Sequence, residues 1–215
     1  MPYPQIKRRQ SGFTLIEIAI VLVIIGLLLG GILKGQELIT QGRIRNVAND
    51  FQSMTAAINL YQDRYRALPG DDAGAAARWT AAGSEATSGN GDGIITGTYI
   101  GVAGDESRFF WHHLRLAGLV GGATTAGAIG TATPPNAASG ITGVQNGAFG
   151  IPGIVICSNN LPAKIAQAID TQFDDGDART GTVRGNPGLV AGAAAIPAAN
   201  YVDDGANFYT VCKAP

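Results

Sequence analysis

Residues Phe13 to Leu33 read FTLIEIAIVLVIIGLLLGGIL, and Glu17 is the only charge among them. At about 1.5 Å of rise per residue this stretch makes a helix of roughly 31 Å, the thickness of a bilayer's hydrocarbon core. An ionised side chain in such a segment costs about 2.5–3.5 kcal/mol on insertion scales. Glu17 therefore predicts a charge elsewhere that meets it, which a plain anchor would not need. Immediately upstream stand Lys7, Arg8 and Arg9, then Ser11 and Gly12. A secretory signal peptide places its small-residue cleavage site after a shorter apolar core. Here Gly12 precedes the apolar run, so cleavage there leaves the run on the mature chain.

The apolar segment continues without a break into KGQELITQGRIRNVANDFQSMTAAINLYQDRYRA. In this continuation Ile44, Val47, Phe51, Met54, Ile58, Tyr61 and Tyr65 recur every three or four residues, one stripe of an amphipathic helix. Lys34, Arg43, Arg45, Asp50, Asp63, Arg64 and Arg66 fall off the stripe, and Pro69-Gly70 stops it. The sequence thus predicts one helix over 13–66. Its first half is apolar all round and suits lipid or copies of itself, and its second half is apolar on one side and suits a folded body. Glycines at 26, 30, 31, 35 and 42 interrupt it. Each costs roughly 1 kcal/mol against alanine, unless close helix packing uses the missing side chain.

The remainder, 67–215, reads as a small, glycine-rich head. A short helix is expected over Asp71–Ala82, a second over 106–119 with Phe110, Leu114 and Ala117 on one face, and a third over Leu161–Phe173. The group Asp174, Asp175 and Asp177 would close that last helix. Ile154–Ile156 is a β-branched run leading into Cys157, and Asn207–Lys213 alternates as a final strand carrying Cys212. The low-complexity stretch 121–148 reads as surface loop. The fold class expected is α+β: a long N-terminal helix packed on a loop-rich head with an antiparallel sheet.

The run KRRQSGFTLIEIAIVLVIIGLLLGGIL, Lys7 to Leu33, resembles the prepilin leader of type IV pilins and type II secretion pseudopilins. The segments ALPGDD, NGDGII, HHLRLAGLV and IDTQFDDGDARTGTV resemble a bacterial prepilin-like group. The resemblance implies cleavage after Gly12 by a prepilin peptidase, methylation of the new N-terminal Phe13, and an assembly role for Glu17 opposite a neighbour's Phe13 amine. It implies a division into a leader (1–12), the long helix (13–66, with 13–33 in the membrane and later the filament core) and the head (67–215). The partners implied are copies of the chain itself in a helical homopolymer and the pilus or secretion assembly machinery of the inner membrane. A minor pilin or a pseudopilin is the alternative reading. The protein would sit in the bacterial inner membrane before assembly and in an extracellular filament, or a periplasmic pseudopilus, afterwards, its head exposed to surfaces or DNA. Pilins commonly carry a proline in the middle of this helix; here Gly30, Gly31 and Lys34 stand in that region without one.

Charge agrees with export. The whole chain has 15 basic and 16 acidic residues, a net −1. Removing 1–12 leaves 12 against 16, or −4, with no basic footprint for nucleic acid. The three leader cations suit retention on the cytoplasmic side. Beyond the membrane lie the two cysteines, Cys157 and Cys212. In an oxidising compartment a disulfide is expected; two buried free thiols are the alternative.

Chemistry-bearing patterns are sparse. Asn90-Gly91-Asp92-Gly93 resembles part of a calcium loop, but Ser88 and Tyr99 stand where an EF-hand needs acids. A turn is favoured, with a looser calcium site through Asp92 and Glu106 as the weaker alternative; otherwise no cofactor is expected. His112 and His113 are adjacent on one predicted helix, diverge in direction and are expected on its surface beside Trp111. The sequence holds no G-x-S-x-G elbow, Walker loop or strand-placed G-x-G-x-x-G. A structural protein is expected, not an enzyme.

Overall fold

The computed structural model describes residues 14–192 and 195–215. The chain divides into two compact units, one ending at Gln41 and the other running from Gly42 to Pro215. Together they form an α+β protein with a long, apolar N-terminal helix, α1 (Leu15–Tyr65), and a small four-stranded antiparallel sheet. The expected Cys157–Cys212 disulfide is present.

In the second unit α1 buries Val47, Phe51, Met54, Ile58 and Tyr61 of the anticipated stripe, with Ala48 and Ala57 beside them and Ile44 and Tyr65 at the margins. The helix stops at Tyr65 because Arg66 takes a left-handed conformation (φ 56°) ahead of Pro69-Gly70. Gly70 (φ 93°) turns the chain directly under Glu106, and a Cβ there would meet the Glu106 carbonyl oxygen at 2.5 Å, so only glycine fits.

The helix expected over Asp71–Ala82 contracts to one turn, α2 (Ala75–Arg78). The carboxylates of Asp71 and Asp72 are committed to distant partners, and Trp79 is already extended (φ −115°, ψ 92°). Helix α3 (Glu106–Leu116) starts as expected but stops three residues short of 119, and α4 (Ala163–Phe173) follows the sequence pattern except that Leu161 and Pro162 belong to the preceding strand.

Strands β1 (Thr142–Ala148), β2 (Ile151–Pro162), β3 (Val183–Pro187) and β4 (Phe208–Lys213) lie in the spatial order β1-β2-β4-β3, all pairs antiparallel. Two of the four depart from the sequence reading. The stretch 121–148 is not loop throughout, because TGVQNGA forms an edge strand, and VRGNP forms the opposite edge. Both are glycine-bearing and weak in intrinsic β preference; β2 and β4, which carry the β-branched residues, template them.

Alternation along β2 and β4 builds two hydrophobic layers. Ile156, Tyr209 and Val211 join α1, α3 and α4 in the main core. Val155, Cys157 and Cys212 turn to the other side with Tyr99, Phe149 and Ile151. Cys157 and Cys212 are directly opposed in the β2–β4 register, so the disulfide crosses between neighbouring strands inside that second layer.

Candidate functional site

The first described turn of α1 is a capping box. Thr14 stands before the first helical residue, and its Oγ1 accepts the Glu17 amide at 3.3 Å. The Glu17 carboxylate reaches back to accept the Thr14 amide at 2.8 Å and its hydroxyl at 2.7 Å. The T-x-x-E spacing is the capping signature, so Glu17 has a local partner within its own chain. Lys7 to Arg9 and the expected cleavage and methylation site, Gly12 and Phe13, lie outside the described residues.

From Leu15 to Leu33 no residue of the helix is buried. The large apolar side chains from Leu15 to Leu33 are all exposed, the least of them, Ile25, at 46%. A Cβ added at Gly26, Gly30, Gly31, Gly35 or Gly42 would find no atom within 4 Å. The helix is long and apolar enough to cross a membrane by length and composition.

In the head, three buried acids organise the chain between α1 and α3. Asp71 accepts the amides of Gly91 at 2.6 Å, Asp92 at 3.2 Å and Gly93 at 2.8 Å. Glu106 accepts the amide of Asn90, and the amide and hydroxyl of Thr96, each at 2.9 Å. Asp72 accepts the Tyr61 hydroxyl at 2.7 Å, the Gly74 amide at 2.8 Å and the Arg78 guanidinium at 2.6 Å. Burial pushes Asp72 up, but its Arg78, Tyr61 and Gly74 bonds outweigh this and hold it below the usual carboxylate range. Arg78 also stacks 4.2 Å from the Tyr65 ring centre and 4.9 Å from that of Trp79.

The sequence-predicted metal candidates fall within this lattice without converging on one point. Asp92 accepts the Ile94 amide at 2.8 Å and the Asn90 side-chain amide at 2.9 Å, as an Asx turn does. Glu106 faces N–H and O–H donors instead. Among the described residues, no group of three or more His, Cys, Asp or Glu side chains is placed to hold a metal ion. Asp174, Asp175 and Asp177 are likewise engaged, by Thr182, Thr180 and Arg179.

The histidines depart from expectation. Neither lies on the helix surface; His113 is fully buried and His112 nearly so. His113 Nδ1 accepts the Gly70 amide at 3.0 Å, so its Nε2 carries the proton and donates to the Thr87 carbonyl at 2.8 Å. Desolvation pushes it down to about 4. His112 Nε2 meets the Thr124 carbonyl at 2.9 Å. The periodicity could have placed them: in a helix whose apolar face is wide, residues flanking Trp111 are drawn inward where loop carbonyls can receive them.

Residues 7–33 match the family model of the prokaryotic N-terminal methylation motif, the hallmark of type IV pilins and pseudopilins. No curated protein and no solved structure matches the chain.

Proposed function

We propose that this chain is the structural subunit of a type IV pilus-like filament. A prepilin peptidase cleaves after Gly12, and Phe13 becomes the methylated N-terminus. Before assembly the helix holds the subunit in the inner membrane. In the filament the helices bundle, and apolar side chains from Leu15 to Leu33 exchange lipid for one another. The observation that carries this reading is the methylation motif running into a helix whose large apolar side chains, Leu15 to Leu33, are all exposed.

Glu17 would then set register. A neighbour's Phe13 amine neutralises it in the apolar core, and a misaligned subunit leaves an unpaired charge at a cost of about 3–5 kcal/mol. The Thr14 capping box occupies the carboxylate in the lone subunit, so assembly exchanges a local bond for an intersubunit ion pair. The role proposed is mechanical and involves no catalysis.

Filaments sheared from cells and analysed by mass spectrometry test this. The expected N-terminal peptide begins with methylated Phe13; an intact leader in surface material refutes it. Gold labelling along the filaments separates the alternatives. Continuous label marks a main subunit, and label confined to tips or absent from surface filaments marks a minor pilin or a pseudopilin.

A further inference from the structure

Among the described residues, every buried or half-buried carboxylate accepts at least one hydrogen bond, with a single exception. Asp105, Asp170, Asp174 and Asp177 have donors, as do Asp71, Asp72 and Glu106. Asp50 is half-buried and has neither a hydrogen bond nor an ion pair, and its desolvation pushes it up. A desolvated carboxylate with no donor is an unmet demand for a cation.

Asp50 lines a half-enclosed cavity of about 280 Å³ within the second unit. Met54, Trp111, Leu119, Val120, Pro134 and Pro135 make its apolar walls. It is of the size that accepts a single ring or a short stem, at the small end of ligand pockets. One carboxylate at the rim of an apolar, tryptophan-bearing cavity is the chemistry that recognises an ammonium group on a hydrophobic stem.

We propose that this cavity binds a small organic cation, its ammonium or guanidinium on Asp50 and its apolar stem against Trp111, Leu119 and Val120. The site draws Asp50 and Met54 from the part of α1 that packs into the head and none of the apolar Leu15–Leu33 segment, so it stands or falls apart from the filament reading.

The test uses the whole mature chain in lipid nanodiscs, titrated with phenethylammonium and, separately, with its neutral isostere phenethyl alcohol. The indole N–H resonances of Trp111 and Trp79 are followed by NMR. The Trp111 signal should move saturably with the ammonium while that of Trp79, outside the cavity, stays in place. Asp50→Asn, which keeps the shape, should weaken binding by on the order of tenfold or more, as loss of a charged hydrogen-bond partner does. Gly121 also lines the cavity, in an ordinary backbone conformation with open space where a Cβ would stand. Gly121→Leu should therefore block binding with the fold intact. Equal responses to ammonium and alcohol, undiminished binding in Asp50→Asn, or an unmoved Trp111 signal would each overturn the proposal. So would loss of filaments in Asp50→Asn without amine binding in the parent, which would place a neighbouring subunit in the cavity.

Discussion

His113 shows what a buried polar side chain contributes when both its nitrogens are engaged. The ring fastens the turn at Gly70 to the loop at Thr87, and it does so only when neutral. Its folded pKa, about 4, lies below the ordinary value of 6.5. Between these values the unfolded chain binds the proton and the folded one does not. Its stabilising contribution is therefore complete above about pH 6.5 and is lost as pH falls towards 4, by roughly 3 kcal/mol in all. Urea denaturation at a series of pH values should show this slope, and His113→Gln should flatten it in that window. An unchanged slope would mean that other groups carry the acid sensitivity. Asp71 is the companion case. Asp71→Ala strands the amides of Gly91, Asp92 and Gly93 and should cost roughly 3 kcal/mol, about one for each lost bond, read as a lower denaturation midpoint. Gly89 closes the same contact: a Cβ there would fall 2.4 Å from the Asp71 Cα, so the two arms of this loop meet backbone to backbone.

At the scale of the elements, α1 asks one helix to serve two environments, and Glu17 belongs to both accounts. As a cap it needs only an acceptor at the third helical position, which glutamine also supplies. As an assembly residue it needs a charge. Glu17→Gln should therefore keep the helix start and membrane insertion while reducing filament number, whereas Glu17→Ala should lose the cap as well, by about 1 kcal/mol. Normal filament numbers from Glu17→Gln would leave capping as the residue's whole role. The reasons why this helix was legible, and β1 and β3 were not, are physical. The stripe from Val47 to Tyr61 repeats over four turns, and the apolar run 13–33 is long and carries a single charge, Glu17, so nearly every residue reinforces the same answer. In β1 and β3 the residues TGVQNGA and VRGNP say little by themselves. Their strand conformation is imposed by β2 and β4, tens of residues away. The candidate cavity was equally invisible. Asp50 reads as a solvated helix residue until Leu119, Val120 and the Pro134-Pro135 pair close around it.

For the molecule as a whole, the disulfide decides how the head's C-terminal part stays attached to the rest. The bridge spans 55 residues of sequence. Within that span lie β3, α4 and a long stretch, 188–207, holding no helix or strand among its described residues. β4 is hydrogen-bonded on both sides, but β3 beyond it is only five residues long. Closing a loop of this length restricts the unfolded chain by about 4 kcal/mol in the chain-entropy model. That is a large share of the roughly 5–15 kcal/mol by which a domain is stable. The Cys157→Ser/Cys212→Ser double variant loses this restriction and also places two hydroxyls in the layer of Tyr99, Phe149 and Val155. It should unfold at markedly lower urea concentration, with early proteolytic cuts in 174–207. Insertion of the apolar helix, which makes no use of the bridge, should be unchanged. Thiol labelling of the denatured, unreduced parent should find no free cysteine. Two labelled thiols, or a double variant as resistant to urea and protease as the parent, would show that β2 and β4 hold the C-terminus without the covalent link.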